Sequence, residues 1–174
     1  MTRVPQVGIS LTRQDISVTA AENVVVARNI LVRRNGATYA IADMNISSAG
    51  AGFTDLQVRD NVMPEGIIRI SGATNILLRP HITGNRFARL TLANNPTVTD
   101  VKIVNNLLVA NSASPMMEFT TTNVVSGLIS GNQILRSGAG EAIAFAGVAT
   151  HTVDIINNIF TPAAMDSLKF LGGA

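Results

Sequence analysis

The sequence predicts an all-β fold, a single-stranded parallel β-helix of about six to seven coils, where one coil is one circuit of the chain around the axis. Three observations lead to this prediction. β-Branched residues, Asn, Gly and Thr dominate a chain with few helix signals. A short alternating pattern that ends at an asparagine returns six times along the 174 residues. A second alternating pattern lies between its copies.

The first pattern is a short strand with an apolar residue three positions before the asparagine and further apolar residues just after it. Successive copies are 21 to 32 residues apart. Coils that stack at roughly 4.8 Å bring equivalent residues into columns along the axis. The asparagines are Asn29, Asn61, Asn85, Asn106, Asn132 and Asn158, and the predicted inward column is Val26, Val58, Ile82, Ile103, Ile129 and Ile155.

The column of asparagines predicts an internal ladder at a sharp bend. Asn tolerates left-handed backbone, and its side-chain amide can bond the same amide one coil away. The residues before four of the asparagines also suit a bend, and they are Gly84, Asn105, Gly131 and Asn157. An antiparallel sandwich would place Asn in turns as well. The inward column keeps its register across all six copies, however, which favours a solenoid.

The second pattern predicts another strand in each coil. Its copies are Ala40-Ile41, Ile68-Arg69-Ile70, Leu90-Thr91-Leu92, Met117-Glu118-Phe119, Ile143-Ala144-Phe145 and Leu168-Lys169-Phe170. Where three residues are present, the middle one points outward and its neighbours point inward. The repeats are too short to hold the crossover helices of a βαβ fold, so stacking of coil on coil is the arrangement that the spacing favours.

The composition limits the class of protein. The length suits one domain covering residues 1–174. Lys and Arg number 13 against 11 Asp and Glu, an excess too small and too scattered to indicate nucleic acid. The absence of cysteine excludes disulfides and thiolate zinc sites. The apolar runs are too short to predict membrane insertion, and no secretory segment is visible. The last residues still read as a strand, so we expect a fragment of a larger protein.

The repeats resemble those of a known superfamily. Thr83-Gly84-Asn85-Arg86-Phe87, Ser130-Gly131-Asn132-Gln133-Ile134 and Ile155-Ile156-Asn157-Asn158-Ile159-Phe160 are similar to the parallel β-helix repeats of the pectate-lyase-like superfamily, which includes bacteriophage tailspikes. The resemblance covers about residues 7 to 173. It implies a right-handed helix, a homotrimer as in tailspikes, and action on polysaccharides at an outward sheet face. It does not specify the chemistry, because this fold hosts many activities.

Outward positions of the middle coils carry a polar patch that is the candidate site. The patch lies six, four and two residues before each asparagine and contains Asp55, Arg59, Arg79, His81, Asp100 and Lys102. Asp55 and Asp100 are the candidate catalytic carboxylates, because two coils separate them by about 9.6 Å, near the upper end of the range for an inverting glycosidase. The four basic residues are the candidate substrate-binding groups. A purely structural alternative makes Asp55, Arg79 and Asp100 a salt-bridge ladder.

Other acidic residues are interpreted as surface groups. Glu118 is a carboxylate without a neighbour on the second strand, and we expect Asp43 and Glu65 to lie in loops. No cluster of carboxylates suggests calcium, His81 and His151 are too few for a transition-metal site, and no motif indicates a cofactor. The chain has no Trp and one Tyr, so a strong stacking platform for sugars is not expected.

Two functions from different classes follow. The first is a non-enzymatic tailspike or surface module, on a virion tail or otherwise extracellular, that forms a rigid shaft and contacts host polysaccharide. The second is a polysaccharide hydrolase or lyase that uses Asp55 and Asp100. With a hydrophobic fraction of 47% and a charged fraction of 14%, the chain has few charged residues with which to cover its surface. The outward apolar residues Val25, Val104, Leu128 and Ile156 therefore predict a covering partner, with a homotrimer as the leading hypothesis.

Overall fold

The computed structural model describes residues 7–13, 21–31, 43–48, 52–71, 76–93, 97–110, 114–120, 124–138, 140–147, 150–161 and 168–171. These residues form an all-β structure without a helix. Accordingly, no helix within these ranges is long and apolar enough to cross a membrane. The strands are β1 (Val7–Arg13), β2 (Ala21–Glu22), β3 (Val25–Ala27), β4 (Asp43–Ser48), β5 (Phe53–Thr54), β6 (Gln57–Arg59), β7 (Val62–Ser71), β8 (Ile76–Leu78), β9 (His81–Thr83), β10 (Arg86–Ala93), β11 (Thr97–Val104), β12 (Leu107–Ala110), β13 (Met117–Thr120), β14 (Val124–Ser130), β15 (Gln133–Arg136), β16 (Ile143–Ala146), β17 (Thr150–Ile156), β18 (Ile159–Thr161) and β19 (Leu168–Leu171).

The strands form two parallel sheets, and each strand pairs with the equivalent strand one coil away. The first sheet runs β1, β4, β7 and β10, then divides into the series β12, β15, β18 and the series β13, β16, β19. The second sheet contains β2, β3, β5, β6, β8, β9, β11, β14 and β17. Every pairing among these strands is parallel and joins neighbouring coils, which confirms a parallel β-solenoid.

The predicted inward columns are confirmed. Val26 to Ile155 pair in register, coil by coil, in the second sheet. In the first sheet Ile68, Leu90, Met117, Ile143 and Leu168 form a matching series. The members of the middle coils are fully buried, as are Phe87, Phe119 and Phe145. The rings of Phe119 and Phe145 stack at 4.7 Å inside the core. The core is thus built of stacked identical or similar side chains, each in van der Waals contact with its equivalent.

The predicted asparagine ladder is also present. Each side-chain Oδ1 accepts two hydrogen bonds from the asparagine of the preceding coil, one from its backbone N–H and one from its Nδ2, at 2.9–3.0 Å. The Nδ2 of Asn106 also donates to the carbonyl of Ile82, and the later and earlier asparagines repeat this contact. Asn61, Asn85, Asn106 and Asn132 are buried, so the ladder satisfies polar groups that water cannot reach.

Left-handed backbone marks the bend before each asparagine. Gly84, Asn105, Gly131 and Asn157 have φ between 55° and 66°, as their residue types predict. Arg28 and Asp60 occupy the same place with φ of 57° and 56°, although neither residue type suggested it. At this bend the chain therefore passes from a strand of the second sheet to a strand of the first sheet, at the equivalent position of each coil.

Some boundaries differ from the prediction. Ala40-Ile41 lies outside the described residues, and Met44 and Ile46 of β4 pair with Ile68 and Ile70 instead. Asp43 and Glu65 belong to β4 and β7, so their assignment to loops was wrong. Glu65 directly follows Pro64, a residue type that is uncommon inside a strand, and β7 nevertheless continues through both residues.

The part of the solenoid that the structure describes contains about four turns. They run from Asn61 to Asn85, Asn106, Asn132 and Asn158, with steps of 24, 21, 26 and 26 residues. The step from Asn29 to Asn61 includes residues outside the described ranges. The total of six to seven coils stays a prediction.

Candidate functional site

The candidate residues Asp55, Arg79 and Asp100 lie at a second bend, at the other end of the short strands of the second sheet. All three have left-handed backbone, with φ of 54°, 50° and 54°. The backbone N–H of Asp55 donates to the carbonyl of Leu78, and the N–H of Arg79 donates to the carbonyl of Thr99. The three residues therefore stack in consecutive coils, as predicted, with Asp55 and Arg79 between strands and Asp100 at an irregular point inside β11 where the register with β14 shifts.

Asp55 and Arg79 form a two-pronged ion pair across this corner. Arg79 Nε and Nη2 each donate to one carboxylate oxygen of Asp55 at 2.8 Å. These hydrogen bonds, together with the charge of Arg79, lower the pKa of the Asp55 carboxyl and raise the pKa of the guanidinium. Both side chains are partly exposed, so the pair orients the two groups more than it stabilises the fold. Asp55 is consequently a fixed anion near neutral pH.

Arg59 is engaged elsewhere. Its Nη1 donates to the carboxylate of its neighbour Asp60 at 3.2 Å, and both side chains are largely in solvent. Asp60 occupies the bend before the asparagine, one corner away from Asp55. Arg59 therefore lies beside the rest of the patch and does not border the groove described next.

A groove of about 520 Å³ brings four of the six candidate residues together. We name it the polar groove. Its charged and imidazole side chains are Arg79, His81, Asp100, Lys102 and Asp154, and its other lining residues are Val101, Ser126, Gly127, Leu128 and Thr152. Asp55 does not border it directly, but holds Arg79 at its edge. The groove thus crosses the second sheet next to the corner.

Strand register explains why these side chains converge. His81, Lys102, Leu128 and Asp154 occupy one outward column, paired coil by coil through β9, β11, β14 and β17. Their spacing along the axis is the strand spacing of about 4.8 Å. The column changes from the basic residues His81 and Lys102 to the acidic residue Asp154, with the apolar Leu128 between. Gly127, the residue before Leu128, has no side chain, so the floor of the polar groove stays open at this position.

Asp154 is a groove residue that the predicted patch left out, although the repeat register places it in an outward column. It lies in the same outward column as His81 and Lys102, four residues before its asparagine. The predicted patch covered only three adjacent middle coils, and Asp154 belongs to a later one. In the described structure Asp154 and Asp100 both border the groove: Asp100 lies in the same strand as Lys102, and Asp154 lies two coils later.

The other polar groups have local structural contacts. Glu118 forms an ion pair with Arg89 at 3.3 Å, so the interpretation of Glu118 as a carboxylate without a neighbour was wrong. His151 packs edge-on against Phe145 at 5.0 Å, and burial lowers the pKa of its imidazole. Among the described residues no three His, Cys, Asp or Glu side chains gather as metal ligands would.

The arrangement suits recognition through hydrogen bonds and charge. Amine, guanidinium, imidazole and carboxylate groups face one open groove, and Leu128 offers a small apolar area between them. Comparison with models of known protein families, with curated proteins and with solved structures gave no match. The function is therefore inferred from the residues of the groove and from the solenoid that holds them.

Proposed function

We propose that this chain is a rigid β-solenoid module of a phage tailspike or a similar extracellular surface protein, and that its polar groove binds polysaccharide without cleaving it. The observation that carries the proposal is the alignment of His81, Lys102, Leu128 and Asp154 in one outward column. A column with regular spacing suits a ligand that is itself a repeating chain of hydroxyl and carboxylate groups, lying along the solenoid axis.

The electrostatics of the corner favour binding over hydrolysis. Glycoside hydrolysis needs one carboxylic acid with a raised pKa to protonate the leaving oxygen. The pKa of Asp55 is shifted in the opposite direction by Arg79, and the two-pronged contact occupies both carboxylate oxygens. Asp55 is therefore a poor proton donor. Fixed charges held by neighbours serve recognition, because they keep one geometry when the ligand arrives.

The finer features of the fold belong to the same proposal. A right-handed solenoid of six to seven coils, as in the pectate-lyase-like superfamily, would present the polar groove along one side of a shaft. A homotrimer would cover outward apolar residues. The half-exposed side chains of Val25 and Ile156 support such a contact, and Val104 is only partly buried by the chain itself, whereas Leu128 belongs to the polar groove.

The test is binding of immobilised surface polysaccharides from candidate host bacteria, measured by interferometry. We expect Lys102→Ala and Asp154→Ala to weaken retention of the polysaccharide that the wild-type protein binds by roughly tenfold each, the loss expected for charge-assisted hydrogen bonds. Arg59→Ala is the matched control, because Arg59 is a basic residue of the same sheet outside the groove. Its binding should equal that of the wild type.

A reducing-end assay on the bound polysaccharide separates binding from cleavage. We expect no release of reducing ends by the wild type. Release that disappears in both Asp55→Asn and Asp100→Asn, with unchanged melting curves, would replace the binding module with an enzyme. Equal retention by the wild type, Lys102→Ala and Asp154→Ala would exclude the polar groove as the binding site.

A further inference from the structure

A second groove, of about 810 Å³, lies on the outward face of the first sheet, which the polar groove does not reach. We name it the apolar groove. Its floor is an outward column in which Val109 pairs with Leu135 and Leu135 pairs with Thr161. Pro64 and Ala88 continue the floor in the two preceding coils. The groove therefore runs along the axis over four strand steps, or roughly 19 Å.

Arg136 enters this groove from the end of β15. The residue is nine-tenths buried, and its Nε donates to the carbonyl of Gly138 at 2.7 Å. None of the hydrogen bonds or ion pairs between described residues uses its Nη atoms, and these atoms are not among the buried ones that lack a partner, so they reach the solvent of the groove. A guanidinium has five N–H donors, so four remain for a ligand. A carboxylate that reaches these N–H groups would form charge-assisted hydrogen bonds with them, so this end of the groove favours an anion.

The other arginine of the groove is already paired. Arg89 donates from Nε to the carbonyl of Pro115 at 2.9 Å and from Nη2 to Glu118 at 3.3 Å. It thereby ties β10 to the chain before β13. Arg136 lies at one end of a floor made of Pro64, Ala88, Val109 and Leu135, and Glu65, an exposed carboxylate with a contact of its own, borders the other end beside Pro64.

We propose that the apolar groove binds a fatty acid, with its carboxylate on the Nη atoms of Arg136 and its alkyl chain along the floor. A carboxylate matches the planar fork of a guanidinium. A peptide or a polysaccharide would bring polar groups onto the apolar floor, where each loses water without a partner. An alkyl chain carries no such groups and gains from the contact.

The length of the groove sets the length of the chain. From the level of Leu135 to the level of Pro64 there are three strand steps, about 14 Å. Successive carbons of an extended chain advance about 1.25 Å, so ten to twelve carbons span this distance. Decanoate is a soluble probe of that size.

Isothermal titration of the protein with decanoate tests the site. We expect saturable binding of one decanoate per chain, and binding at least about tenfold weaker for decan-1-ol, which has the same chain without the charge. Arg136→Gln should weaken decanoate binding by a similar factor. Arg69→Gln is the matched control, because Arg69 is an exposed arginine of the same sheet outside the groove, and it should bind as the wild type does.

A second variant covers the case in which Arg136→Gln does not fold, as judged by its melting curve. Val109 is 38% exposed, so Val109→Glu keeps the core intact while placing a negative charge on the floor, and it should abolish decanoate binding. The proposal is overturned if decanoate shows no saturable binding, or if either folded variant binds it like the wild type. Saturable binding of an apolar peptide with one glutamate, in preference to decanoate, would overturn the choice of ligand.

Discussion

At the scale of the residue, the asparagine ladder determines how the coils stack. Each buried amide accepts from the coil before it and donates to the coil after it, so no member can be replaced without exposing polar groups on both sides. The sequence could predict this ladder, because Asn at a constant distance from an inward Val or Ile is typical of a bend that stacks coil on coil. The spacing alone did not predict that each step of the ladder contains two hydrogen bonds to the same side-chain oxygen.

Asn106→Ala tests the ladder at its centre. Asn106 is buried, and its loss leaves the carbonyl of Ile82 and the backbone N–H of Asn85 without their partners. Since unpaired buried groups cost about 1–3 kcal/mol each, we expect the free energy of unfolding to fall by about 2–4 kcal/mol in a urea titration.

Asn29→Ala is the control for that variant. Asn29 is partly exposed, and its described ladder contacts go in one direction only, toward Asn61. The loss should be about 1 kcal/mol or less. An equal loss in Asn29→Ala and Asn106→Ala would contradict a ladder whose strength depends on burial.

The candidate site shows where sequence reasoning stopped at this scale. His81 and Lys102 were placed correctly on one outward column, because apolar alternation fixes which residues of a strand face out. Asp55 and Arg79 were interpreted as outward positions of the sheet because each lies six residues before an asparagine, and their left-handed backbone was not predicted. Their ion pair was expected under the structural alternative, but its two-pronged geometry depends on that unexpected backbone.

At the scale of the element, the coils of Asn29, Asn61, Asn85 and Asn106 have two left-handed corners, whereas β14 and β17 continue through the position of the second corner. One corner precedes the ladder asparagine, and the other carries Asp55, Arg79 and Asp100. Glycine and asparagine made the first corner predictable. Three of the four left-handed residues at the second corner, Asn23, Asp55 and Asp100, are of types that tolerate this backbone, but the alternating pattern led to their interpretation as ordinary outward positions. The first copy of the second pattern, Ala40-Ile41, lies outside the described residues, and the strand that pairs with Ile68 and Ile70 is that of Met44 and Ile46, within the longest step between asparagines.

Gly127→Ala tests a backbone position where the strands of neighbouring coils approach closely. Gly127 has φ of 138°, and a Cβ there would overlap the backbone of Val101 in the adjacent coil. Neither backbone can move without breaking the pairing of β11 with β14. We expect a loss of about 3 kcal/mol in the free energy of unfolding, measured by urea titration.

Gly84→Asn is the matched control. Gly84 has φ of 66°, close to the values of Asn105 and Asn157 at the equivalent corner. A Cβ there meets the carboxylate end of Asp60, an exposed side chain that can move aside. The change should cost less than about 1 kcal/mol. Equal destabilisation by the two substitutions would contradict this prediction, because it would mean that the backbone of Val101 moves away from the added Cβ at little cost.

At the scale of the whole molecule, the outer surface carries apolar side chains on both sheets. Ile30 and Ile159 are 74% and 57% exposed in one outward column of the first sheet. Val25 and Ile156 are each 50% exposed on the second sheet. The sequence predicted the latter two as outward residues, because they alternate with inward ones. The repeat pattern does not show which of these side chains a partner covers, because that depends on the shape of the partner's surface.

Sedimentation equilibrium tests the proposed homotrimer. We expect the wild-type protein to have three times its monomer mass at micromolar concentration. The double variant Val25→Asp and Ile156→Asp should shift toward monomer, because a charge buried in an interface is costly. Ile30→Asp is a comparison on the first sheet, and it should remain trimeric. A wild-type protein that stays monomeric would contradict the trimer.

The ladder also gives the solenoid a chemical direction. In every step the donor belongs to the earlier asparagine and the acceptor to the later one, from Asn29 to Asn158. The two ends of the described ladder therefore differ: one end has a free acceptor and the other has a free donor. A coil added beyond Asn158 has to supply an acceptor, and a coil added before Asn29 has to supply a donor. Two such stacks can therefore join head to tail through the same hydrogen bonds, whereas joining like ends would set acceptor against acceptor or donor against donor.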